Sequence, residues 1–467
     1  MSFDMVIRGA RVVTPDQVDF ADIGITQGRI AAIGHDLGPA SNVIEAKGLI
    51  AMPGGIDSHV HVSQPSGPGI EMADDFDTAT RAAAFGGTTT ILPFCLPEGD
   101  TPLRQAVDAY HAKADGACHV DVSFHLIVAR TDAQTLGQDL PALLEAGYTS
   151  FKVFMTYEGL RLRDGEILQA MELARRHGAL VMVHAENEEA IEFLRSRAER
   201  DGRTAPVHHA RTRPVPVERE ATHRALSLAQ IADVPLTIVH VSNGETLDEI
   251  LRARARGQIV HAETCPQYLT LTAEDLDRAG SDGFEGAKFV CSPPPRDQAA
   301  QSALWAALGQ GHFELWSSDH APFRFADHRG KDAPGARTRF RNIPNGIPGI
   351  ETRLPILFSE GVSKGRISLQ QFANLTASNH ARIYGLAPRK GAIVPGADAD
   401  IVLWDPHHTR DIRQHDLHHG ADYTPWEGFR VTGWPVTTIL RGRVIVSDGE
   451  LIAKAQGAYI SRPTETA

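Results

Sequence analysis

The sequence predicts an α/β protein made of a TIM-like (β/α)8 barrel and a β-sandwich domain built from both chain termini. Three observations lead to this fold: strand-like runs fill both ends of the chain, strand-like and helix-like segments alternate through its middle, and the middle holds eight strand candidates. A chain of 467 residues has room for a barrel of about 250 residues and a smaller second domain.

The two ends of the chain share a pattern of short β-type runs separated by turns. Near the amino terminus these runs cover residues 5–7, 11–14, 23–26, 29–33 and 43–45, and near the carboxyl terminus they cover 393–394, 400–404, 437–440 and 443–446. We expect both sets to form one domain. The predicted division is therefore 1–53 for the first part of the sandwich, 54–385 for the catalytic barrel, and 386–467 for the rest of the sandwich and a tail.

The middle of the chain has the strand and helix alternation of a parallel sheet. Candidate strands cover residues 56–62, 88–92, 120–127, 149–154, 180–184, 236–240, 259–264 and 315–317, and plausible helices follow most of them, such as 164–176 and 245–256. Eight parallel strands close a barrel, and barrel enzymes place their chemistry at the carboxyl ends of the strands. We therefore expect functional residues where these strands end.

Composition narrows the class of protein. The net charge is −12, which argues against a nucleic-acid partner or an anionic membrane surface. The four cysteines lie far apart without a Cys-x-x-Cys pair, which fits a reducing compartment. The first residues lack the features of a secretory signal, and no apolar run reaches membrane-spanning length. We expect a cytoplasmic enzyme.

His59 and His61 are the strongest single signal in the chain. A turn through residues 52–55 leads into their strand, and strand alternation sends both side chains to the same side. Two imidazoles on one strand face can hold a metal ion. The pair alone is a weak signal, because the chain contains 22 histidines.

Later strands supply the missing partners. Lys152, His184, His240 and Asp319 lie in or directly after four further predicted strands, on the same rim of the barrel. Each has a plainer interpretation by itself: His184 and His240 as core histidines, Lys152 as a paired or snorkelling lysine, and Asp319 as a helix cap. Their joint placement favours a metal centre.

The chemistry of this set suits two metal ions. Apolar neighbours on both sides of Lys152 lower the pKa of its amine, and a neutral amine can add CO2 to form a carbamate that bridges two cations. Imidazole and carboxylate ligands favour divalent ions, with Zn²⁺ first and Mn²⁺, Co²⁺ or Fe²⁺ also compatible. Asp319, beside the metals, can carry a proton from the attacking water to the leaving nitrogen.

Several longer motifs resemble the cyclic amidohydrolases, and within them the dihydropyrimidinase and D-hydantoinase group. The resemblance runs from about residue 5 to 446, and its motifs cover residues 54–61, 151–157, 184–187, 263–269, 292–296, 343–351 and 418–428. It implies that one metal takes His59, His61 and Asp319, that the second takes His184 and His240, and that carboxylated Lys152 bridges them.

The resemblance also implies a reaction and its remaining residues. The Tyr157 hydroxyl would stabilise the oxyanion, although from the residues alone Tyr157 could equally be a packing aromatic, and main-chain groups of Ser292 and Asn345 would hold the cyclic amide. The expected substrate is a small cyclic ureide or imide, namely a dihydropyrimidine or a 5-substituted hydantoin, opened to an N-carbamoyl amino acid. The resemblance further implies a homotetramer or homodimer.

Some features leave more than one interpretation open. The loops at 61–72 and 157–162 depart from the common versions of the group, so the preferred ring substituent and enantiomer stay undetermined. The segment 316–322 is shared in part with allantoinases and dihydroorotases, so an activity of that type is the alternative hypothesis. His320 in this segment is interpreted as a supporting or structural residue. A non-catalytic scaffold of the same fold and a mononuclear deaminase are two further hypotheses. The scaffold would have lost metal ligands, and the deaminase would not need Lys152.

Overall fold

The computed structural model describes residues 2–462 of the chain. Its strands, in chain order, are β1 (Phe3–Val13), β2 (Val18–Thr26), β3 (Arg29–Gly34), β4 (Ala40–Glu45), β5 (Ile50–Pro53), β6 (Gly55–Val60), β7 (Thr88–Cys95), β8 (Asp121–Val122), β9 (His125–Ile127), β10 (Ser150–Phe154), β11 (Leu180–His184), β12 (Leu236–Ile238), β13 (Val260–Thr264), β14 (Leu315–Trp316), β15 (Ile401–Asp411), β16 (Arg430–Leu440), β17 (Arg443–Ser447) and β18 (Glu450–Leu451).

Most helices lie between the barrel strands. The α-helices are α1 (Phe76–Phe85), α2 (Leu103–Ala114), α3 (Leu140–Glu145), α4 (Asp164–His177), α5 (Glu188–Arg200), α6 (Val207–Arg211), α7 (Val215–Ala232), α8 (Gly244–Ala255), α9 (Pro266–Thr270), α10 (Gln298–Gly309), α11 (Arg353–Leu357), α12 (Leu369–Ala373) and α13 (Asn379–Ile383). Short π-helical turns cover Thr135–Asp139, Phe358–Ser363 and Asn374–Ser378, and 3₁₀ turns cover Ala273–Asp277, Glu285–Phe289, Phe340–Asn342 and Gln414–Asp416.

Both ends of the chain form one mixed sheet. Its strand order is β18-β17-β16-β15-β5-β1-β2-β3, with β4 also paired to β1. Residues from both halves share its apolar core, for example Ile7, Ile23, Ile401 and Ile439. The β-domain expected from the two chain ends is confirmed, and the junction between its halves is β5, which pairs in parallel with β1 and antiparallel with β15.

The middle of the chain forms the barrel. Parallel strands run in the order β14-β13-β12-β11-β10-β9-β7-β6, with β8 added beside β7. The seam between the first and last strands is closed by a bridge from Val60 to His320, and the His61 amide donates to the His320 carbonyl at 2.7 Å. The predicted (β/α)8 barrel with a β-domain built from the termini is thus confirmed.

Several local expectations are wrong where tertiary pairing overrides the local pattern. The runs at 5–7 and 11–14 belong to the single strand β1, which continues past Gly9 at φ 69°. The predicted turn at 52–55 is mostly strand, because Met52 and Pro53 pair with β15. Residues 393–394 form no strand, although Ile393 is buried in the core of the β-domain. The run at 120–127 is divided into β8 and β9.

Buried charges connect the barrel to the β-domain. Lys390 donates to Asp121 on β8 at 2.6 Å and to Asp400, directly before β15, at 2.5 Å. The chain also returns to the barrel after β18, where Tyr459 bridges to Val122. The boundaries at 53/54 and 385/386 stay a prediction. No helix within residues 2–462 combines the length and apolar character needed to cross a membrane.

Candidate metal centre

The six predicted ligands meet at the carboxyl rim of the barrel. They lie in or shortly after barrel strands: β6 for His59 and His61, β10 for Lys152, β11 for His184, β12 for His240 and β14 for Asp319. His240 and Asp319 have left-handed backbones, at φ 44° and 49°, where the chain turns sharply out of its strand. Residues other than glycine adopt this conformation at a cost, and such strain clusters at functional sites.

Three of the six form one compact group. The Asp319 Oδ1 atom lies 3.1 Å from His59 Nε2 and 3.4 Å from His61 Nε2. Donor atoms of these three residues all lie within 4.8 Å of one another. Two imidazole nitrogens facing one carboxylate oxygen at this spacing are a suitable donor set for one divalent ion.

The remaining two histidines form a second group beside it. His184 Nδ1 faces His240 Nε2 at 2.9 Å, and the rings of His240 and His59 are 5.3 Å apart between centroids. Lys152 lies between the groups, with its Nζ 2.9 Å from His59 Nε2. The arrangement provides two neighbouring donor sets with the lysine at their junction.

Acceptors outside this set fix which ring nitrogen faces inward. Glu263 Oε1 accepts from His59 Nδ1 at 2.6 Å, Gln64 Oε1 accepts from His61 Nδ1 at 2.8 Å, and Glu186 Oε2 accepts from His184 Nε2 at 2.8 Å. Each acceptor holds a proton on the outer nitrogen, so the inner nitrogen is the one left to bind a metal once it has lost any proton of its own. Such partners orient metal ligands and raise their basicity.

Sequence reasoning missed Glu263, Gln64 and Glu186 as functional residues. A signal was present for two of them. Glu263 is the one acid in the predicted strand 259–264, and Glu186 follows a strand-ending histidine by two positions. Gln64 carries no comparable signal, because a glutamine in a loop rich in proline and glycine is ordinary.

Lys152 is buried in a largely apolar setting. Its side chain packs against the rings of Phe94 and Phe154, at 4.6 Å and 4.8 Å from Nζ to the ring centroids. Burial lowers the pKa of Lys152 to about 8, against the opposing charges of Asp319 and Glu263. A substantial fraction of this amine is therefore neutral near physiological pH.

Two of the histidines and the aspartate have the charge states that metal binding requires. Burial holds the pKa values of His184 and His240 well below the ordinary value, so both are neutral imidazoles. Burial would raise the pKa of Asp319, but the charge of His59 and hydrogen bonds from His59 and His61 hold it well below its usual range. Neutral imidazoles and an ionised carboxylate are the forms that coordinate divalent metals. For His59, burial is outweighed by the charges of Glu263 and Asp319, which raise its pKa, so its inner proton must leave when a metal binds.

A cavity of about 510 Å³ opens above this centre. Nine residues are predicted for the site, and His59, which is fully buried, lies beneath the cavity floor. The eight that border the cavity are His61, Lys152, Tyr157, His184, His240, Ser292, Asp319 and Asn345. A small substrate in this cavity can therefore meet the predicted metal centre.

Tyr157, Ser292 and Asn345 lie on the wall of this cavity. Tyr157 has a left-handed backbone at φ 77°, and its ring centroid is 5.2 Å from that of His184. Burial raises the pKa of Tyr157, so its hydroxyl stays protonated and can donate. Ser292 Oγ donates to Asn345 Oδ1 at 3.1 Å. The main-chain amide and carbonyl groups of Ser292 and Asn345 have no backbone partner within residues 2–462.

His320 has a supporting position. Its Nε2 lies 3.1 Å from Asp74 Oδ2, and its Nδ1 accepts from the Gly349 amide at 3.1 Å. Both ring nitrogens are therefore engaged in hydrogen bonds beside the barrel seam. This geometry agrees with a structural role for His320.

Comparisons with known proteins match nearly the whole chain. The family model described as "Amidohydrolase family" matches residues 50–445. A "D-hydantoinase" of Rhizobium radiobacter is 45% identical over 99% of this chain and 97% of its own length. A "D-phenylhydantoinase" of Escherichia coli O1:K1 / APEC is 40% identical over 98% of each chain.

Solved structures agree with this result. A crystal structure of "dihydropyrimidinase from Brevibacillus agri NCHU1002" superposes with a TM-score of 0.95 at 42% identity, covering 99% of both chains. An "L-Hydantoinase (Dihydropyrimidinase) from Arthrobacter aurescens" gives a TM-score of 0.88 at 30% identity, covering 98% of this chain and 99% of its own. Matched along nearly its full length in sequence and fold, the chain belongs to the amidohydrolase family, as a cyclic amidohydrolase of the hydantoinase and dihydropyrimidinase group.

Proposed function

We propose that the protein hydrolyses the cyclic amide bond of dihydropyrimidines or 5-substituted hydantoins and releases N-carbamoyl amino acids. The observation that carries this proposal is the gathering of four imidazoles, a buried lysine and an ionised aspartate at and directly beneath the floor of one cavity. Relatives named D-hydantoinase and dihydropyrimidinase that match the full chain support the substrate class.

The donor sets fit two divalent metal ions, with zinc as the first candidate. His59, His61 and Asp319 would hold one ion and His184 and His240 the second, with Lys152, carboxylated by CO2, as a ligand to both. When bound, the ions polarise the substrate carbonyl and make a hydroxide nucleophile available near neutral pH.

Asp319 is the proposed proton carrier. Its carboxylate borders the cavity and is ionised, so it can accept the proton released as water adds to the carbonyl carbon. The carboxyl group so formed then gives that proton to the ring nitrogen as the C–N bond breaks. The ring opens without a free amide anion.

Tyr157, Ser292 and Asn345 act on the substrate itself. The protonated hydroxyl of Tyr157 donates a hydrogen bond to the carbonyl oxygen as that oxygen gains negative charge. The main-chain groups of Ser292 and Asn345, which have no backbone partner within residues 2–462, offer donors and acceptors to the imide or ureide edge of the ring. The hydrogen bonds between these main-chain groups and the edge of the ring set which C–N bond faces Asp319.

A substrate panel tests the proposal. Metal-loaded protein is assayed with hydantoin, dihydrouracil, allantoin and dihydroorotate, and release of N-carbamoyl product is measured. Turnover of the first two, lost in Asp319→Asn, is the expected result. Preference for allantoin or dihydroorotate would instead favour those neighbouring activities. A protein that takes up no metal on loading and hydrolyses none of the four compounds would favour a non-catalytic scaffold.

Location and assembly belong to the same proposal. We propose a cytoplasmic homotetramer or homodimer, and the four buried cysteines, which form no disulfide with one another, are consistent with a reducing compartment. Light scattering of purified protein measures the assembly, and a monomer mass would reject it.

A further inference from the structure

Lys331 is a buried lysine outside the metal centre. It lies in the long loop between β14 and α11, and its side chain is fully buried. Its Nζ donates to the Val290 carbonyl at 2.8 Å and to the Pro344 carbonyl at 2.7 Å. A single amine group thus joins two chain segments that are far apart in sequence.

Those two carbonyls flank the groups that we propose to hold the substrate. Val290 precedes Ser292 by two residues, and Pro344 directly precedes Asn345. Two further contacts join the same segments: the Gly346 amide donates to the Val290 carbonyl at 3.1 Å, and Ser292 Oγ donates to Asn345 Oδ1 at 3.1 Å. The segments 290–292 and 344–346, called here the imide clamp, are therefore tied together at the cavity wall.

The stretch around Lys331 belongs to the same loop as residues 344–346 and is held by contacts of its own. The Lys331 amide donates to the Arg324 carbonyl at 2.8 Å, and the Ala326 amide donates to Asp422 Oδ2 at 3.0 Å. Glu71, from the loop 61–72 that borders the cavity, donates its amide to the Arg329 carbonyl at 2.9 Å. These contacts hold the stretch around Lys331 through groups outside the imide clamp.

A buried lysine is a costly choice for packing alone. Its hydrogen bonds within residues 2–462 go to carbonyl groups and not to a carboxylate, and burial lowers the pKa of Lys331 to about 7. An apolar side chain would fill the same volume without that desolvation cost. A lysine side chain adds several hydrogen-bond donors on one nitrogen atom. Two of them bind carbonyl groups of the imide clamp.

We propose that Lys331 is a positioning residue that holds the main-chain groups of Ser292 and Asn345 at the spacing required to bind the edge of the cyclic amide. The inference rests on the proposed function, because that function supplies the ligand of the clamp. Lys331 is outside both the metal-ligand set and the cavity lining. Its removal should therefore weaken substrate binding more than it slows the chemical step.

Two variants and a matched control test this role in metal-loaded protein. Lys331→Met removes both hydrogen bonds, whereas Lys331→Gln keeps an amide with two donors. Lys288→Met is the control, since Lys288 lies two residues before Val290 but donates to Glu285 at 2.9 Å and takes no part in the clamp. Steady-state kinetics with hydantoin, metal content, and amide hydrogen exchange of peptides covering the clamp are measured for each.

The expected result is a KM raised about tenfold or more in Lys331→Met, since two buried hydrogen bonds are lost, with a smaller rise in Lys331→Gln. The kcat value, metal content and Lys288→Met kinetics should stay close to wild type. Amide exchange should speed up in the clamp and not in the strands of the metal centre.

Unchanged KM together with unchanged clamp exchange would overturn the inference, as would faster exchange spread over the whole barrel. If Lys331→Met does not fold, amide exchange is compared between Lys331→Gln and wild type. Faster exchange confined to the clamp supports the inference, and unchanged or uniformly faster exchange overturns it. If wild-type protein turns over none of the cyclic substrates, the proposed function fails, while the exchange comparison still judges whether Lys331 orders the clamp.

Discussion

Glu263 and His59 are joined by a 2.6 Å contact between Oε1 and Nδ1, with both side chains fully buried. The same carboxylate accepts from the His240 amide at 3.0 Å and from Ser317 Oγ at 2.9 Å. Glu263 therefore contacts residues of both predicted donor sets. It fixes the ring of His59 and the backbone of His240 at once.

Replacing Glu263 by Gln should weaken metal binding. The loss of a charged acceptor lowers the basicity of His59 and loosens its orientation, so we expect affinity to fall by about 10–100-fold. Metal affinity is measured by competition with a chelator, followed by elemental analysis of the protein. Glu172→Gln, in an exposed pair with Arg175, serves as control, and an affinity equal to wild type in Glu263→Gln would contradict the assigned role.

Lys152 should take up CO2 in a pH-dependent way. Burial lowers the pKa of Lys152 to about 8, and the neutral amine is the form that adds CO2, so carbamate formation in metal-free protein should increase as the pH rises through about 8. A ¹³C resonance from labelled bicarbonate measures this, with Lys152→Ala as the blank. A resonance of equal size in that variant, or near-native turnover by it, would refute the assignment.

Tyr157→Phe should slow the chemical step. Removing a donor aimed at a developing oxyanion costs about 10²–10³-fold in turnover, with a smaller change in KM. Initial-rate kinetics with metal-loaded protein measure both values. Tyr459→Phe removes a hydroxyl from a tyrosine that packs against Tyr148, away from the cavity, and should leave kcat unchanged. Equal kcat in Tyr157→Phe and wild type would assign Tyr157 to packing.

Arg353→Met should destabilise the fold. Arg353 Nε lies 3.3 Å from Asp57 Oδ2, and both side chains are fully buried. Removing one partner leaves a buried charge uncompensated, which costs about 3–5 kcal/mol in the free energy of unfolding. The free energy of unfolding is measured by urea denaturation. Arg413→Met, in a surface pair with Asp411, should cost at most about 1 kcal/mol, and a similar loss in both variants would contradict the argument.

Local patterns account for most of the barrel. The eight predicted strands all overlap observed ones, since buried parallel strands form continuous apolar runs. The wrong predictions fall where pairing with a strand distant in sequence determines the local structure. Met52 and Pro53 look like a turn locally but are strand because β15 lies beside them, and residues 393–394 look like a strand but have no partner strand within residues 2–462.

The sequence by itself predicts that His59, His61, Lys152, His184, His240 and Asp319 lie in or directly after barrel strands and therefore share one rim. The reason is that parallel strands bring their carboxyl ends to one edge. In contrast, the contact of Glu263 with His59 and the link from Lys331 to Val290 and Pro344 became visible only in three dimensions. These contacts join residues distant in sequence, and no local pattern specifies a side-chain partner that the closure of the barrel brings into reach.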